Sequence, residues 1–225
     1  MSLTPELARW RKAERQALIA RRLAAPVADR AQWDHRITRQ VRDAFPMLEG
    51  MTVGFYWPFQ GEFDPRPLVE GLVARGARAA LPVVVAKATP LVFSEWYPGV
   101  ALVPDAFGLS VPQGTATLVP DAVLVPPVGI GAAGDRLGYG GGFFDRTLAA
   151  LAPKPLSIAV AFELSRIPTT HPQPHDVLMD FVVTEDRIEA AVAGGLETVG
   201  VDECRRRAEA LVRDRQLPRG LFRTV

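Results

Sequence analysis

Two neighbouring stretches of this chain read Ala122-Val123-Leu124-Val125 and Asp135-Arg136-Leu137-Gly138-Tyr139-Gly140-Gly141-Gly142-Phe143-Phe144-Asp145-Arg146. The first predicts a buried strand, because it is a short run of apolar residues. The second leads into a helix, which we predict from about Gly142 to a residue ahead of Pro153. A loop rich in Pro and Gly joins the two stretches. A strand, a glycine-rich loop and a helix in this order are typical of an α/β fold.

Strands and helices alternate on both sides of this segment. Apolar runs predict further strands at residues 51–56, 79–85, 91–97, 156–162 and 181–184. Capping residues and prolines predict helices at residues 4–23, 29–45 and 64–75. We therefore predict an α/β sheet with helices on both faces. A basic helix predicted at about residues 202–215 lies outside this alternation.

The three successive glycines, Gly140 to Gly142, have two interpretations. Glycine lets the backbone adopt conformations that a side chain forbids and approach a ligand closely. Successive N–H groups then converge on a phosphate at the start of the following helix. The alternative is a tight turn without a ligand. The segment is not a P-loop, since Gly-Lys-Ser/Thr is missing, and its spacing differs from the Rossmann fingerprint.

Two aspartates are candidate metal ligands. Asp145, in the first turn of the helix, either caps it or binds a cation. Beside phosphate-binding amides a carboxylate repels the anion unless a cation lies between them, and Mg²⁺ binds through one or two carboxylates plus phosphate oxygens and waters. Asp176 is either a second such ligand or a turn residue. The nearby His171 and His175 have no third ligand at a spacing typical of zinc.

The first predicted helix carries a basic stripe. Arg11, Arg15 and Arg22 lie on one face, and like charges four residues apart destabilise a helix slightly. The stripe therefore favours contact with a polyanion. The alternative is a solvated basic face opposite Leu7, Trp10, Ala17 and Leu18.

An aromatic cluster follows the strand predicted at residues 51–56. It reads Phe55-Tyr56-Trp57-Pro58-Phe59-Gln60-Gly61-Glu62-Phe63-Asp64. In open α/β sheets, ligands bind beyond the carboxyl ends of the strands. Rings such as Trp57 can stack there on a flat heterocycle. Glu62 can accept hydrogen bonds from the N–H groups of that heterocycle. Alternatively, the rings belong to the core and Glu62 only starts the next helix.

Composition narrows the class of protein. The chain has 225 residues, a formal net charge of +1 and one cysteine, Cys204. An internal disulfide and a cysteine metal cluster are therefore excluded, which fits a reducing compartment. We expect a cytoplasmic protein without membrane contact, because no signal-peptide core and no apolar run of about 20 residues is found. The basic C-terminal helix is expected to be solvated at the edge of the domain, with RNA contact as the alternative.

Taken together, the motifs resemble those of the 5-formyltetrahydrofolate cyclo-ligases, also called 5,10-methenyltetrahydrofolate synthetases. The resemblance spans about residues 9–187, and only the glycine-rich motif is specific by itself. The matching elements, in order, are the arginine-rich first helix, Tyr56 with Pro58 and Glu62, the Pro-Asp-Ala-Val-Leu-Val-Pro stretch at 120–126, Arg136 to Arg146, and His175-Asp176 followed by Asp180, Thr184 and Glu185.

This resemblance implies a single three-layer α/β/α domain like that of ribose-5-phosphate isomerases and coenzyme A transferases, at residues 1–190, with a basic helical extension at 191–225. It implies an enzyme that uses ATP and Mg²⁺ to convert 5-formyltetrahydrofolate into 5,10-methenyltetrahydrofolate, releasing ADP and phosphate. We expect a monomer that does not bind nucleic acid.

The resemblance also assigns residues, although no catalytic residue is among them. ATP would be held by Arg11, Arg15, Arg136, Leu137, Gly138, Tyr139, Gly140, Gly141, Gly142, Phe143 and Phe144. The folate would be held by Trp57, Glu62, Tyr139, Gly140, Gly141, Gly142 and Phe143. Mg²⁺ would be held by Asp145 and Asp176.

Some positions depart from the family pattern. Arg11 stands where lysine is frequent, so the geometry of a phosphate contact changes. Phe144 stands where tyrosine is usual, which removes a hydroxyl, and Gln173 falls near a usual glutamate. Two alternatives stay open, because a fold does not fix a function. One is a catalytically silent folate-binding paralogue with an RNA-contacting basic tail, and the other is a sugar-phosphate isomerase, which would not need ATP.

Overall fold

The first helix begins at the predicted capping residue. A computed structural model describes residues 4–105 and 108–218 of the chain. In it the backbone N–H of Leu7 donates to Thr4 Oγ1 at 3.3 Å, and Pro5 occupies the first turn. The helices are Pro5–Ala24 (α1), Val27–Ala44 (α2), Arg66–Ala74 (α3), Phe143–Ala150 (α4) and Val201–Asp214 (α5), with short 3₁₀ turns at Pro46–Gly50 and Glu163–Ser165.

The strands form one large sheet and two small hairpins. They are Thr52–Gly54 (β1), Arg78–Val83 (β2), Val92–Trp96 (β3), Leu102–Pro104 (β4), Ser110–Pro112 (β5), Thr117–Leu118 (β6), Ala122–Val125 (β7), Gly129–Ile130 (β8), Arg136–Leu137 (β9), Leu156–Val160 (β10), Phe181–Val183 (β11), Ile188–Val192 (β12) and Gly195–Val199 (β13). The nine-stranded sheet has the order β13-β12-β11-β10-β7-β1-β2-β3-β6.

The central strands of this sheet are parallel. Strands β11, β10, β7, β1 and β2 run in one direction, and the antiparallel β12–β13 and β3–β6 pairs complete the two edges. The chain leaves β1 toward β2 on one side and leaves β7 toward β10 on the other. The boundary between β1 and β7 is therefore the topological switch point, where open α/β sheets bind ligands.

Both faces of the sheet are covered, because successive side chains of a strand point to opposite faces. In β7, Ala122 and Leu124 join the core cluster that α2, α3 and α5 cover. Val123 and Val125 join a second cluster, which includes Leu148 of α4. The predicted α/β architecture with helices on both faces is thus confirmed. Among the described residues, no helix is long and apolar enough to cross a membrane.

Helix α1 lies at the carboxyl edge of the central strands. Its Leu18 is 3% exposed and packs in a small cluster with Val128, Leu137 and Ile167. Val128 and Leu137 belong to the segment that contains β8 and β9, directly before the glycine-rich loop. The packing of α1 therefore fixes its basic residues beside that loop.

The C-terminal segment needs a correction. The boundary expected between residues 190 and 191 falls inside β12, which pairs with β11 and β13 in the main sheet. Helix α5 does not stand apart, since Cys204, Ala208 and Val212 are buried in the same core cluster as α2. Residues up to 218 thus continue the domain rather than append a solvated helix to it, whereas residues 219–225 of the predicted extension lie outside the described residues.

Candidate functional site

A cavity of about 700 Å³ opens at the switch point between β1 and β7. The segment after β1 and the segment after β7 form two of its walls, and α1 contributes a third. Every residue predicted for the three binding sites lines this one cavity. They are Arg11, Arg15, Trp57, Glu62, Arg136, Leu137, Gly138, Tyr139, Gly140, Gly141, Gly142, Phe143, Phe144, Asp145 and Asp176.

The glycine-rich loop forms the wall between β9 and α4. Gly140 and Gly142 have φ angles of 97° and 63°, in a region that residues other than glycine rarely adopt. Gly142 is also the N-cap residue of α4, so the loop runs directly into the positive end of that helix. Close approach of backbone to ligand and a helix N-terminus together suit an anion such as phosphate.

Two arginines of α1, Arg15 and Arg22, donate hydrogen bonds to this loop. The Nε of Arg15 donates to the carbonyl oxygen of Gly138 at 2.6 Å, which ties the helix to the loop. Burial and, to a smaller extent, the charge of Arg11 lower the pKa of Arg15. Arg11 is 7% exposed and Arg22 is 3% exposed. The predicted alternative of a solvated basic face is therefore wrong, because the stripe is the buried face of α1.

Both candidate metal ligands are ion-paired. Asp145 Oδ1 accepts from Arg136 Nη2 at 2.7 Å and from the backbone N–H of Val177 at 3.0 Å. Asp176 Oδ2 accepts from Arg11 Nη2 at 2.7 Å. Burial lowers the pKa of Arg136, although Asp145 and Asp176 oppose the shift. The capping role considered for Asp145 is not observed, since its described bonds reach across to other segments instead of to the start of α4.

The carboxylates of the cavity fit an Mg²⁺ ion whose coordination shell is completed by phosphate oxygens. Two carboxylates, Asp145 and Asp176, line the same cavity, and the two described hydrogen bonds of Asp145 both end on Oδ1. Within residues 4–105 and 108–218, no three His, Cys, Asp or Glu side chains come together as in an all-protein metal site. One or two carboxylates suffice for Mg²⁺ when phosphate oxygens and waters complete its shell.

The other end of the cavity is aromatic and acidic. Glu62 is 9% exposed and lies with Trp57 beyond the carboxyl end of β1. Its Oε1 accepts from the hydroxyl of Tyr139 at 2.5 Å and its Oε2 from the backbone N–H of Phe59 at 2.8 Å. Burial raises the pKa of Glu62, and these two hydrogen bonds oppose the shift. The carboxylate is thus held in place at a site suited to N–H donors.

Several wall residues were not predicted from the sequence. They are apolar side chains from the sheet and its loops, namely Leu81, Pro82, Val84, Leu91, Val125 and Pro126, together with Arg146. The strand residues carry no local signal of a binding role, since they read as ordinary core. Only their position at the switch point of the sheet brings them to the cavity.

Comparison with known proteins adds independent observations. A model of the 5-formyltetrahydrofolate cyclo-ligase family matches residues 8–185. A 5-formyltetrahydrofolate cyclo-ligase of Mycolicibacterium smegmatis is 35% identical over 153 residues, which are 62% of this chain and 76% of that protein. The protein of the same name from Escherichia coli (strain K12) is 36% identical over 109 residues, which are 46% of this chain and 60% of that protein.

Solved structures show the same fold. The NMR structure of Aquifex aeolicus 5,10-methenyltetrahydrofolate synthetase has a TM-score of 0.69 at 23% identity and covers 79% of this chain and 91% of that one. The Mycoplasma pneumoniae 5,10-methenyltetrahydrofolate synthetase has a TM-score of 0.64 at 24% identity and covers 78% and 98%. Because the family model matches most of its length, the chain belongs to the 5-formyltetrahydrofolate cyclo-ligase family and is an enzyme, a ligase.

Proposed function

We propose that this enzyme converts 5-formyltetrahydrofolate into 5,10-methenyltetrahydrofolate, consuming ATP and releasing ADP and phosphate. One observation carries the proposal. A single cavity has a basic, glycine-rich end and an aromatic end with a buried carboxylate. A triphosphate suits the first end and a pterin suits the second. Two substrates bound there would meet inside one cavity, as transfer of a phosphoryl group between them requires.

The basic end would bind the triphosphate. Arg11 and Arg15 supply charge from α1, and the amides around Gly140 to Gly142 supply N–H donors from the loop. Charge-assisted hydrogen bonds to phosphate are stronger than neutral ones. Phosphoryl transfer depends on positioning and on neutralising charge, and these residues provide both.

The aromatic end would bind the folate. Trp57 would stack on the flat pterin, and Glu62 would accept its N–H groups. The apolar wall that includes Leu81 and Val125 would exclude water between the two ends. Since Glu62 needs only to orient the substrate, we assign it no proton transfer.

Asp145 and Asp176 would hold Mg²⁺ together with the phosphate oxygens. When bound, the ion would supply positive charge that neutralises the transferring phosphoryl group. Arg136 and Arg11 pair with these carboxylates in the protein alone and hold them in place. The same arginines are then available beside the phosphates.

The chemistry itself lies in the substrates. The formyl oxygen on N5 attacks the γ-phosphorus of ATP, the bond to the β–γ bridging oxygen breaks, and ADP leaves. N10 then attacks the activated formyl carbon and loses its proton. Finally the carbon–oxygen bond breaks, phosphate leaves and the methenyl bridge remains. We also propose, from the resemblance and the single cysteine, that the enzyme acts as a cytoplasmic monomer.

A direct assay tests this proposal. Purified protein is mixed with 5-formyltetrahydrofolate, ATP and Mg²⁺, and the near-ultraviolet absorbance of the methenyl product is followed together with ADP. We expect both to rise in equal amounts, and neither to rise without ATP. Folded protein that produces no chromophore would overturn the proposal and favour a folate-binding protein without turnover.

A further inference from the structure

The third arginine of the basic stripe, Arg22, lies behind the cavity wall and makes contacts that the proposed function does not use. Its side chain is 3% exposed. Its Nε donates to the carbonyl oxygen of Gln60 at 3.0 Å, and its Nη2 donates to the hydroxyl oxygen of Tyr139 at 2.9 Å. One side chain of α1 thus joins the loop after β1 to the glycine-rich loop.

These contacts determine which way the hydroxyl of Tyr139 points. A guanidinium has only donors, so the oxygen of Tyr139 accepts from Arg22 and its own hydrogen is free to go elsewhere. That hydrogen goes to Glu62 Oε1 at 2.5 Å. With Phe59 N–H on Oε2, both carboxylate oxygens of Glu62 have a fixed donor. The orientation of Glu62 therefore depends on Arg22 through Tyr139.

Arg22 also affects the charge of Glu62. Its Nη2 lies 3.9 Å from Glu62 Oε1. Burial raises the pKa of Glu62, the hydrogen bonds of Tyr139 and Phe59 lower it, and the charge of Arg22 lowers it further. The charged and titratable groups that surround this loop are Arg22 from α1, Asp34 and Arg30 from α2, Tyr56 from the end of β1 and Tyr139 from the glycine-rich loop.

We propose that Arg22 is a positioning residue for the folate end of the site: acting through the Tyr139 hydroxyl, it holds Glu62 as an ionised carboxylate turned toward the cavity. An ionised carboxylate accepts N–H groups, whereas a protonated one presents a donor to them. The identity of the ligand rests on the proposed function. The charge and orientation of Glu62 are properties of the protein alone and can be measured without any ligand.

The first experiment measures the titration of Glu62 in the ligand-free protein. Glutamate labelled with ¹³C at the carboxyl carbon gives NMR signals that follow ionisation, and Glu62→Gln identifies the signal of Glu62. We expect a higher pKa of Glu62 in Arg22→Met than in the wild type. Arg21→Met is the matched control, because Arg21 is the neighbouring arginine of α1 and is exposed. It should leave the titration of Glu62 unchanged.

The second experiment measures binding by calorimetry. Arg22→Met should raise the dissociation constant of 5-formyltetrahydrofolate about tenfold near neutral pH, as expected when a contact to a charged group is impaired. ATP affinity should stay within about twofold, since Arg22 lies at the folate end. The competent form of Glu62 is ionised and is lost as the pH falls through its pKa. As the pH is lowered, folate affinity should therefore begin to fall at a higher pH in Arg22→Met than in the wild type.

A double-mutant cycle separates positioning from packing. Tyr139→Phe removes the hydroxyl from a residue that is 44% exposed, so the fold should tolerate it even if Arg22→Met does not fold. If Arg22 acts through this hydroxyl, Tyr139→Phe weakens folate binding in the wild type and adds little in Arg22→Met. Arg22→Lys keeps the charge but not the planar set of guanidinium donors, so its folate affinity should lie between those of the wild type and Arg22→Met.

The outcomes are distinguishable. An unchanged titration of Glu62 in Arg22→Met, or in Tyr139→Phe if only that variant folds, overturns the inference. Fully additive effects in the cycle overturn it as well and make Arg22 a packing residue. If the pKa of Glu62 rises as expected but wild-type protein does not bind 5-formyltetrahydrofolate, the role of Arg22 stands and the proposed substrate is wrong.

Discussion

The chain contains two arginine-rich helices, α1 and α5, that use their charges in opposite ways. In α1, Arg11 and Arg15 donate to Thr170 and Gly138, which are more than 100 positions away in the sequence. In α5, Arg206 and Arg207 pair with Glu203, one turn earlier on the same helix. The buried charges of α1 thus line the candidate site. In α5, Arg206 and Arg207 form a surface network, and Arg205 donates to the carbonyl oxygen of Asp43 in α2.

The difference lies in which face of the helix is buried. On α1, the arginines share the buried face with Leu18, so their charges point into the protein. On α5 the buried face consists of Cys204, Ala208 and Val212. Arginine is tolerated on a buried face only if its donors find acceptors there, because an unpaired buried charge is costly. The arginine content of a helix therefore does not predict a binding site until it is known whether the arginines lie on the same face as the buried apolar residues.

The largest effect should come from removing α5. A chain that ends at residue 190 is cut within β12 and loses the apolar face that packs on α2. We expect this variant to lose cooperative unfolding, as measured by circular dichroism during a urea titration. A cooperative transition close to that of the full chain would restore the view of α5 as a solvated appendage.

The next largest effect concerns the two candidate metal ligands, Asp145 and Asp176. Asp145→Asn should reduce turnover by about 100-fold or more, because neutralisation of the phosphoryl charge by a metal is worth several kcal/mol. Raising the Mg²⁺ concentration should recover part of the activity by mass action. Asp176→Asn should show a milder defect. Steady-state rates over a range of Mg²⁺ concentrations measure both.

Stability must be followed in parallel, because Asp145 also pairs with Arg136. Asparagine still offers an oxygen to the N–H of Val177, so Asp145→Asn should stay folded at the assay temperature. Turnover close to wild type with the same Mg²⁺ dependence would show that Asp145 serves the ion pair alone. The metal site would then have to lie elsewhere.

The two arginines of the α1 site should differ from each other. Arg11→Ala leaves Asp176 without its buried partner, and breaking such a pair costs about 3–5 kcal/mol of the free energy of unfolding. An arginine on a solvated face would contribute little to stability, so it is the burial of Arg11 that predicts this loss. Urea denaturation measures the difference.

Arg15 is less buried and should act mainly on the ligand. Arg15→Ala should raise the dissociation constant of ATP about tenfold or more, the value of one charge-assisted contact to phosphate. Isothermal titration calorimetry measures it, with the exposed Arg21→Ala as the control. If ATP binds as in the wild type and only the melting temperature falls, the contact of Arg15 with Gly138 is structural.

The fold could be predicted as far as its signals are local. The strand Ala122–Val125 has the bounds that were predicted, because its four apolar residues are all buried. The order of the sheet could not be predicted, since β7 pairs with β1 about 70 positions earlier. The hairpin of β12 and β13 was missed, although its two-residue connection, Ala193-Gly194, contains a glycine with positive φ, as hairpin turns favour.

The site could be predicted where a motif carries it. The glycine-rich loop and the residues assigned by resemblance line one cavity, but their binding roles stay predictions until ligands are tested. Arg22 had the same local signal as Arg15. Its link to Glu62 could not be predicted, because the link passes through Tyr139, 117 positions further along the chain.

The smallest effect should come from the surface network of α5. Arg206 is exposed and its ion pair with Glu203 spans three residues of one helix. Such exposed pairs contribute little to stability and are screened by salt. Arg206→Ala should therefore leave the free energy of unfolding almost unchanged and the dissociation constant of ATP unchanged. Denaturation in low and high salt, with calorimetry on the same samples, measures both quantities. A clear loss of ATP affinity in Arg206→Ala would show that the charges of α5 reach the site, and the contrast between the two helices would no longer hold.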